Sequence, residues 1–144
     1  METKPTIGYP AETGPAMSLQ LFVNSLVDNS LSVALDNCSS VINEVGKGVV
    51  LQTSNARILS LIEEVFNTVI VNSRKGDIHI SAENNEGRLV LKIQERNNYN
   101  GYALSFSIGT LVSDFNFAGG SLDINSPQQK VTTIILSFPD RKAA

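Results

Sequence analysis

The sequence predicts an α+β fold: a two-layer α/β sandwich with helices on one face of a mixed sheet. Three observations carry that expectation. Two segments, near residues 19–38 and 53–72, repeat apolar residues at three- and four-residue intervals, the period of an amphipathic helix. Four later segments, near 77–83, 88–95, 121–125 and 130–138, alternate or are rich in β-branched residues and read as strands. The order is helix, short strand pair, helix, two strands, helix, two strands, which interleaves the two kinds of element around one sheet.

Residues 1–17 hold Pro5, Pro10 and Pro15 with Gly8 and Gly14 between them. They propagate neither helix nor central strand, and are expected to be a flexible leader. The folded domain is placed at 18–139, with a charged tail at 140–144. Ser18 is the candidate N-cap of a helix from Leu19 to Cys38, whose stripe is Leu19, Phe22, Val23, Leu26, Val27, Leu31, Ala34, Leu35 and Cys38. That stripe either packs on the chain's own sheet or builds a two-fold interface with a second copy. Ser40–Val45 and Val49–Gln52 read as short strands around a Gly46-Lys47-Gly48 turn. Thr53 or Ser54 caps a second helix, with Ile58, Leu61, Ile62, Val65, Phe66 and Val69 on one face. The strands 77–83 and 88–95 are joined by Asn84-Asn85-Glu86-Gly87, a hairpin signal. Leu104–Phe117 reads as a helix despite Gly109, and Gly119-Gly120 stops it. A turn with Pro127 joins the last two strands.

The chain has 144 residues, one domain's length, and 42% hydrophobic residues, enough for a core. Charged residues are only 17%, while 14 Asn and 16 Ser make the surface largely neutral and polar. The net charge of −3 and scattered Lys and Arg argue against nucleic acid as the main partner. A single cysteine, Cys38, excludes an intramolecular disulfide framework and a cysteine zinc site. A single histidine, His79, excludes a histidine-rich metal site. No apolar run approaches the ~18 residues of a membrane span, and no secretory leader pattern opens the chain, so a cytoplasmic protein with no membrane partner is expected. Cys38 is expected to be a small buried hydrophobe, and His79, alternating with Ile78 and Ile80, a solvent-facing strand residue.

From about Ser25 to Pro139 the chain resembles the ATP-binding domain of sensor histidine kinases, part of the wider ATPase group shared with gyrase, the Hsp90 chaperone and the MutL repair protein. The resemblance lies in Gln52-Thr-Ser-Asn-Ala-Arg-Ile58, the N-box at Glu63-Glu-Val-Phe-Asn67 with Thr68, the turn Ser73-Arg-Lys-Gly76, the step Phe117-Ala-Gly-Gly-Ser-Leu122 and the final strand Val131–Pro139. The C-terminal half also resembles kinase-like proteins of Bacteroidetes. The resemblance implies two-component signalling, with a receiver domain or partner kinase as the binding partner. It implies a transferase whose cofactors would be ATP and Mg²⁺. Asn67 takes the metal-binding amide position, and Glu63, one turn earlier, the position that orients the attacking group. Glu95 takes the position of the acid that accepts the adenine amino group. Asn97 and Tyr99 take positions of glycines in the box that follows, and Ser105 and Ser107 fall in the second phosphate-facing box.

The chain departs from that pattern in several places. Glu95 is one methylene longer than the usual Asp, Tyr99 is bulky where Gly is expected, and the connection to the next helix is too short for a covering lid. No Lys or Arg lies between Arg96 and Lys130 to offset a polyphosphate. No histidine is placed to accept phosphate, and no base stands beside Ser105 or Ser107. Glu63 and Asn67, four apart, share one side of their helix opposite the apolar stripe, which suits either a pocket floor or an ordinary solvated face. A binding or regulatory module with weak or absent ATP binding, inactive as this chain alone, is the expectation; a reduced but active catalytic domain is the alternative.

Overall fold

A computed structural model of the chain describes residues 17–51, 56–96, 101–125 and 131–139. In chain order the elements are β1 (Met17–Ser18), α1 (Leu19–Asp36), β2 (Ser40–Asn43), β3 (Val50–Leu51), α2 (Ala56–Asn72), β4 (Asp77–Asn85), β5 (Arg88–Arg96), α3 (Gly101–Gly109), α4 (Val112–Phe117), β6 (Ser121–Asn125) and β7 (Val131–Pro139). The main sheet has the order β2-β4-β5-β7-β6, with β2 parallel to β4 and every other pair antiparallel. The helices lie on one face of it, so the expected two-layer mixed architecture is the one formed.

The core follows from two periodicities meeting. On β5 the residues Leu89, Leu91 and Ile93 alternate inward; Ile78 and Ile80 do so on β4, and Ile134, Leu136 and Phe138 on β7. On α2 the apolar face from Ile58 to Ile70 is buried as predicted, with Leu61, Val65 and Val69 wholly inaccessible. Ser18 is the N-cap of α1: its hydroxyl accepts a hydrogen bond from the Leu21 amide at 3.2 Å.

Several expectations need correction. The strands β2 and β3 do not pair with each other. β2 joins the main sheet through the crossover that α2 makes, and β3 pairs with β1 in a separate two-stranded ribbon. The hairpin between β4 and β5 is tighter than predicted. Asn85 pairs with Arg88, leaving only Glu86 and Gly87 in the turn at φ 52° and 81°, the positive angles that right-handed strand twist demands of a two-residue loop. The helix expected over 104–117 is two helices, interrupted where the Thr110 hydroxyl donates to the Ser107 carbonyl and the Leu111 amide to that of Ile108. The helix predicted to reach Cys38 stops at Asp36. Cys38 sits at φ 58° and is exposed, because the chain turns there into β2 rather than continuing the stripe. Only Leu19, Val23, Leu26, Ser30 and Ala34 of α1 are fully buried, while Leu31 and Leu35 are 51% and 65% exposed. Of the expected leader 1–17, Met17 instead pairs with Leu51 in β1; its residues 1–16, the caps at 53 and 54, Asn97, Tyr99, the Pro127 turn and the tail lie outside the described residues.

His79 is not a free strand residue. Its Nδ1 lies 3.1 Å from Glu44 Oε2 and its Nε2 3.1 Å from Asp77 Oδ2, and Ser40 donates to the other Asp77 oxygen at 2.9 Å. The imidazole side chain is only 15% exposed. Hydrogen bonds to Glu44 and then Asp77 raise the His79 pKa, against desolvation and Arg96. The bonds from His79 and then Ser40 lower that of Asp77. The clamp fastens the chain after β2 to the open face of β4.

Two outcomes test this packing. Leu61→Ala is expected to cost about 2–5 kcal/mol in urea unfolding, whereas Phe117→Ala, at a position 94% exposed, should stay within roughly 0.5 kcal/mol. The histidine clamp contributes fully below its ordinary pKa of 6.5 and fades as pH rises through the raised folded-state value. The Asp77 contribution is present above its ordinary 3.8 and is lost as pH falls through the lowered value. The urea midpoint of the wild type should therefore fall on the alkaline side of that window, and His79→Gln should flatten this limb; a variant with the wild-type profile would remove the clamp from the account.

Candidate functional site

The side of α2 that faces away from the sheet carries Ser60, Glu63, Glu64, Asn67, Val71 and Asn72. These residues appear at intervals of three and four, so the period that buries the Ile58–Ile70 face necessarily collects them on the other. Across from them stands α3, with Phe106 and Ser107, followed by Thr110 and Leu111. Between the two helices is a shallow, largely open cleft of about 600 Å³. Glu63 and Asn67 both line it, so the structure brings together the pair that sequence spacing put on one helix face.

Glu95 is elsewhere. It faces inward, continuing the alternation Leu89, Leu91, Ile93 along β5, and its residue exposure is 0%. It is not among the residues that line the cleft. The Ser73 hydroxyl donates to Glu95 Oε2 at 3.0 Å, and the Ser39 hydroxyl lies 3.2 Å from that of Ser73 and 3.1 Å from the Ser73 carbonyl. The Gly76 amide donates in turn to Ser39 Oγ at 3.1 Å. Ser39 and Ser73 are themselves buried. A polar chain thus joins the turn after α1, the turn after α2 and the end of β5. Gly76 is a steric requirement of this arrangement: a Cβ there would stand 2.1 Å from Ser73 Oγ and 2.3 Å from Glu95 Oε2.

The remaining predicted positions divide. Ser107 lines the cleft; Ser105 does not, and its buried hydroxyl has no hydrogen-bond partner among the described residues. Asn97 lies outside the described residues. The residues sequence reasoning missed are Glu64, Thr110 and Phe106. Phe106 is 78% exposed, which no hydropathy pattern signals. Among the described residues that line the cleft the charged groups are Glu63 and Glu64. Arg57, at the start of α2, approaches Asp114 of α4 at 4.0 Å. The described lining can therefore offer carboxylate and carboxamide acceptors, hydroxyls and an aromatic wall.

No family profile and no curated protein sequence matches the chain. Solved structures do. Histidine kinase AdeS of Acinetobacter baumannii superposes with a TM-score of 0.67 at 12% identity, over 88% of this chain and 67% of that one. The nucleotide-free catalytic domain of histidine kinase ThkA gives 0.62 at 10% identity, over 88% of this chain and 95% of that domain. Full-length ShkA in complex with AMPPNP gives 0.65 at 9% identity, over 90% of this chain but 32% of that one. The chain thus has the ATPase-domain fold of histidine kinases.

The polar chain around Glu95 predicts a steep penalty for filling the space at residue 76. Gly76→Ala should lower stability by about 1–3 kcal/mol or more through overpacking. Ser73→Ala should cost about 1–3 kcal/mol by taking a donor from a buried carboxylate. The two losses should be clearly less than additive, because both act on the same contact. Additive losses in chemical denaturation would show that the two residues act independently.

Proposed function

We propose that this chain is a histidine-kinase-like domain of two-component signalling that works by binding and holds ATP·Mg²⁺ weakly or not at all. One observation carries the reading. The acid at the adenine-binding position, Glu95, is fully buried against Ser73, while the candidate metal amide, Asn67, lies in a cleft that Glu95 does not line. A nucleotide needs both ends held together. The phosphate end is also unfavourable, since the described lining of the cleft carries two carboxylates and no cation. At about 4 Å each carboxylate opposes a phosphate charge by roughly 1–4 kcal/mol, from water-like to surface-like dielectric. The described residues therefore do not fit a triphosphate.

The partner is a receiver domain or a partner kinase, in keeping with the fold. ThkA, one of the structural neighbours, is solved in complex with the response regulator TrrA. The chain acts in the cytoplasm in this reading, and no helix among the described residues is long and apolar enough to cross a membrane. The exposed Leu21, Leu31 and Leu35 of α1 support a homodimer through the 19–38 segment. A second reading, a reduced but active kinase domain, is favoured by one fact: Glu63 and Asn67 do share the cleft. In it Asn67 would hold Mg²⁺ and Glu63 would orient the attacking group.

Thermal unfolding separates the two. A ligand at a hundred times its Kd adds about 2.7 kcal/mol. The binding-module reading expects no shift in Tm with millimolar ATP·Mg²⁺, for wild type and Asn67→Ala alike. A clear wild-type shift that Asn67→Ala abolishes would establish the active-domain reading instead.

A further inference from the structure

We infer that the cleft between α2 and α3 receives a basic segment of a partner protein, with an arginine or lysine head against Glu63 and Glu64 and its aliphatic stem along Phe106. The inference deepens the binding-module reading and rests on it. Three features of the cleft point the same way. It is a shallow, largely open groove of about 600 Å³, lined from two helices. Among the described residues its charged lining groups are two carboxylates at successive positions of α2, which give that wall a negative field. Its rim carries apolar surface that the fold leaves in water, with Phe106 78% and Val71 55% exposed.

No single class of simple ligand other than a long cationic side chain satisfies all three. An anion meets two like charges. A purely apolar ligand would strip water from both carboxylates without replacing it. A small hydrated cation leaves the Phe106 ring and Val71 unused. An arginine head pairs with carboxylates through a fork of donors, its stem covers apolar surface, and its plane packs on an aromatic face. Lysine supplies the same charge and stem with less directional donors. The Asn67 carboxamide and the Ser107 hydroxyl lie within the same lining and provide further acceptors.

The test uses the full chain and two fluorescent peptides, one of arginine and leucine and one in which glutamate replaces arginine, read by anisotropy. The arginine peptide should bind and the glutamate peptide should not. The double change Glu63→Gln with Glu64→Gln should weaken binding by about five-fold per carboxylate. Phe106→Ala, at an exposed position, should weaken it without lowering the Tm. The control removes the same charge far from the cleft, with Asp28→Asn and Glu83→Gln, both exposed, and should leave affinity near wild type. Equal weakening by the control pair would reduce the effect to the chain's net negative charge and overturn the inference. So would wild type that fails to bind the arginine peptide while also ignoring ATP·Mg²⁺, an outcome that leaves the binding-module reading standing. Displacement of the peptide by ATP·Mg²⁺ would overturn both.

Discussion

A carboxylate with no exposed surface dictates much of this molecule. Burying such a group is costly unless hydrogen bonds replace the water it loses. At Glu95 the Ser73 hydroxyl donates to Oε2, and behind Ser73 stand Ser39 and the Gly76 amide. Those residues belong to the end of β5, the turn after α2 and the turn after α1. The connection places two turns and the end of a strand at one point, and the absence of a side chain at Gly76 gives them the space. The same connection turns the acid away from the cleft on the far side of α2.

The helix α2 mediates between these two environments. Its apolar face from Ile58 to Ile70 builds the core with the sheet, and its other face gives the cleft its acid and amide groups. Neither role constrains the other strongly, because residues 100° apart on the helix face different media. A core can therefore keep the ATPase fold while the chemistry of the outward face drifts. The low sequence identity to structures of the same fold is what such a division allows.

The legible parts of the sequence are those governed by local period. The α2 stripe, the alternation on β5 and β7, and the Ser18 cap all follow from spacing and capping chemistry. The position of Glu95 was also legible in principle, since Leu89, Leu91 and Ile93 set the parity that carries it inward. What parity cannot supply is its partner, because Ser73 is 22 residues away in sequence. The same limit explains His79: Glu44 reaches it only through the parallel pairing of β2 with β4, which nothing within either strand encodes. On α1 the apolar residues form a band wider than the neighbouring elements cover, so composition alone overstated its buried face. The split between α3 and α4 turns on two short-range hydrogen bonds that compete with helix continuation.

The parallel placement of β2 has a kinetic consequence. The β4–β5 pair closes over a two-residue loop, a local event on the microsecond scale. β2 must instead wait for the intervening chain, α2 included, to cross over before Ser40 meets Asp77, 37 positions later. This four-residue strand lies at an edge of the sheet and pairs on one side only, which makes it a natural place for the native state to open locally. Amide protons along it would exchange with solvent well before those of β5, which is flanked on both sides.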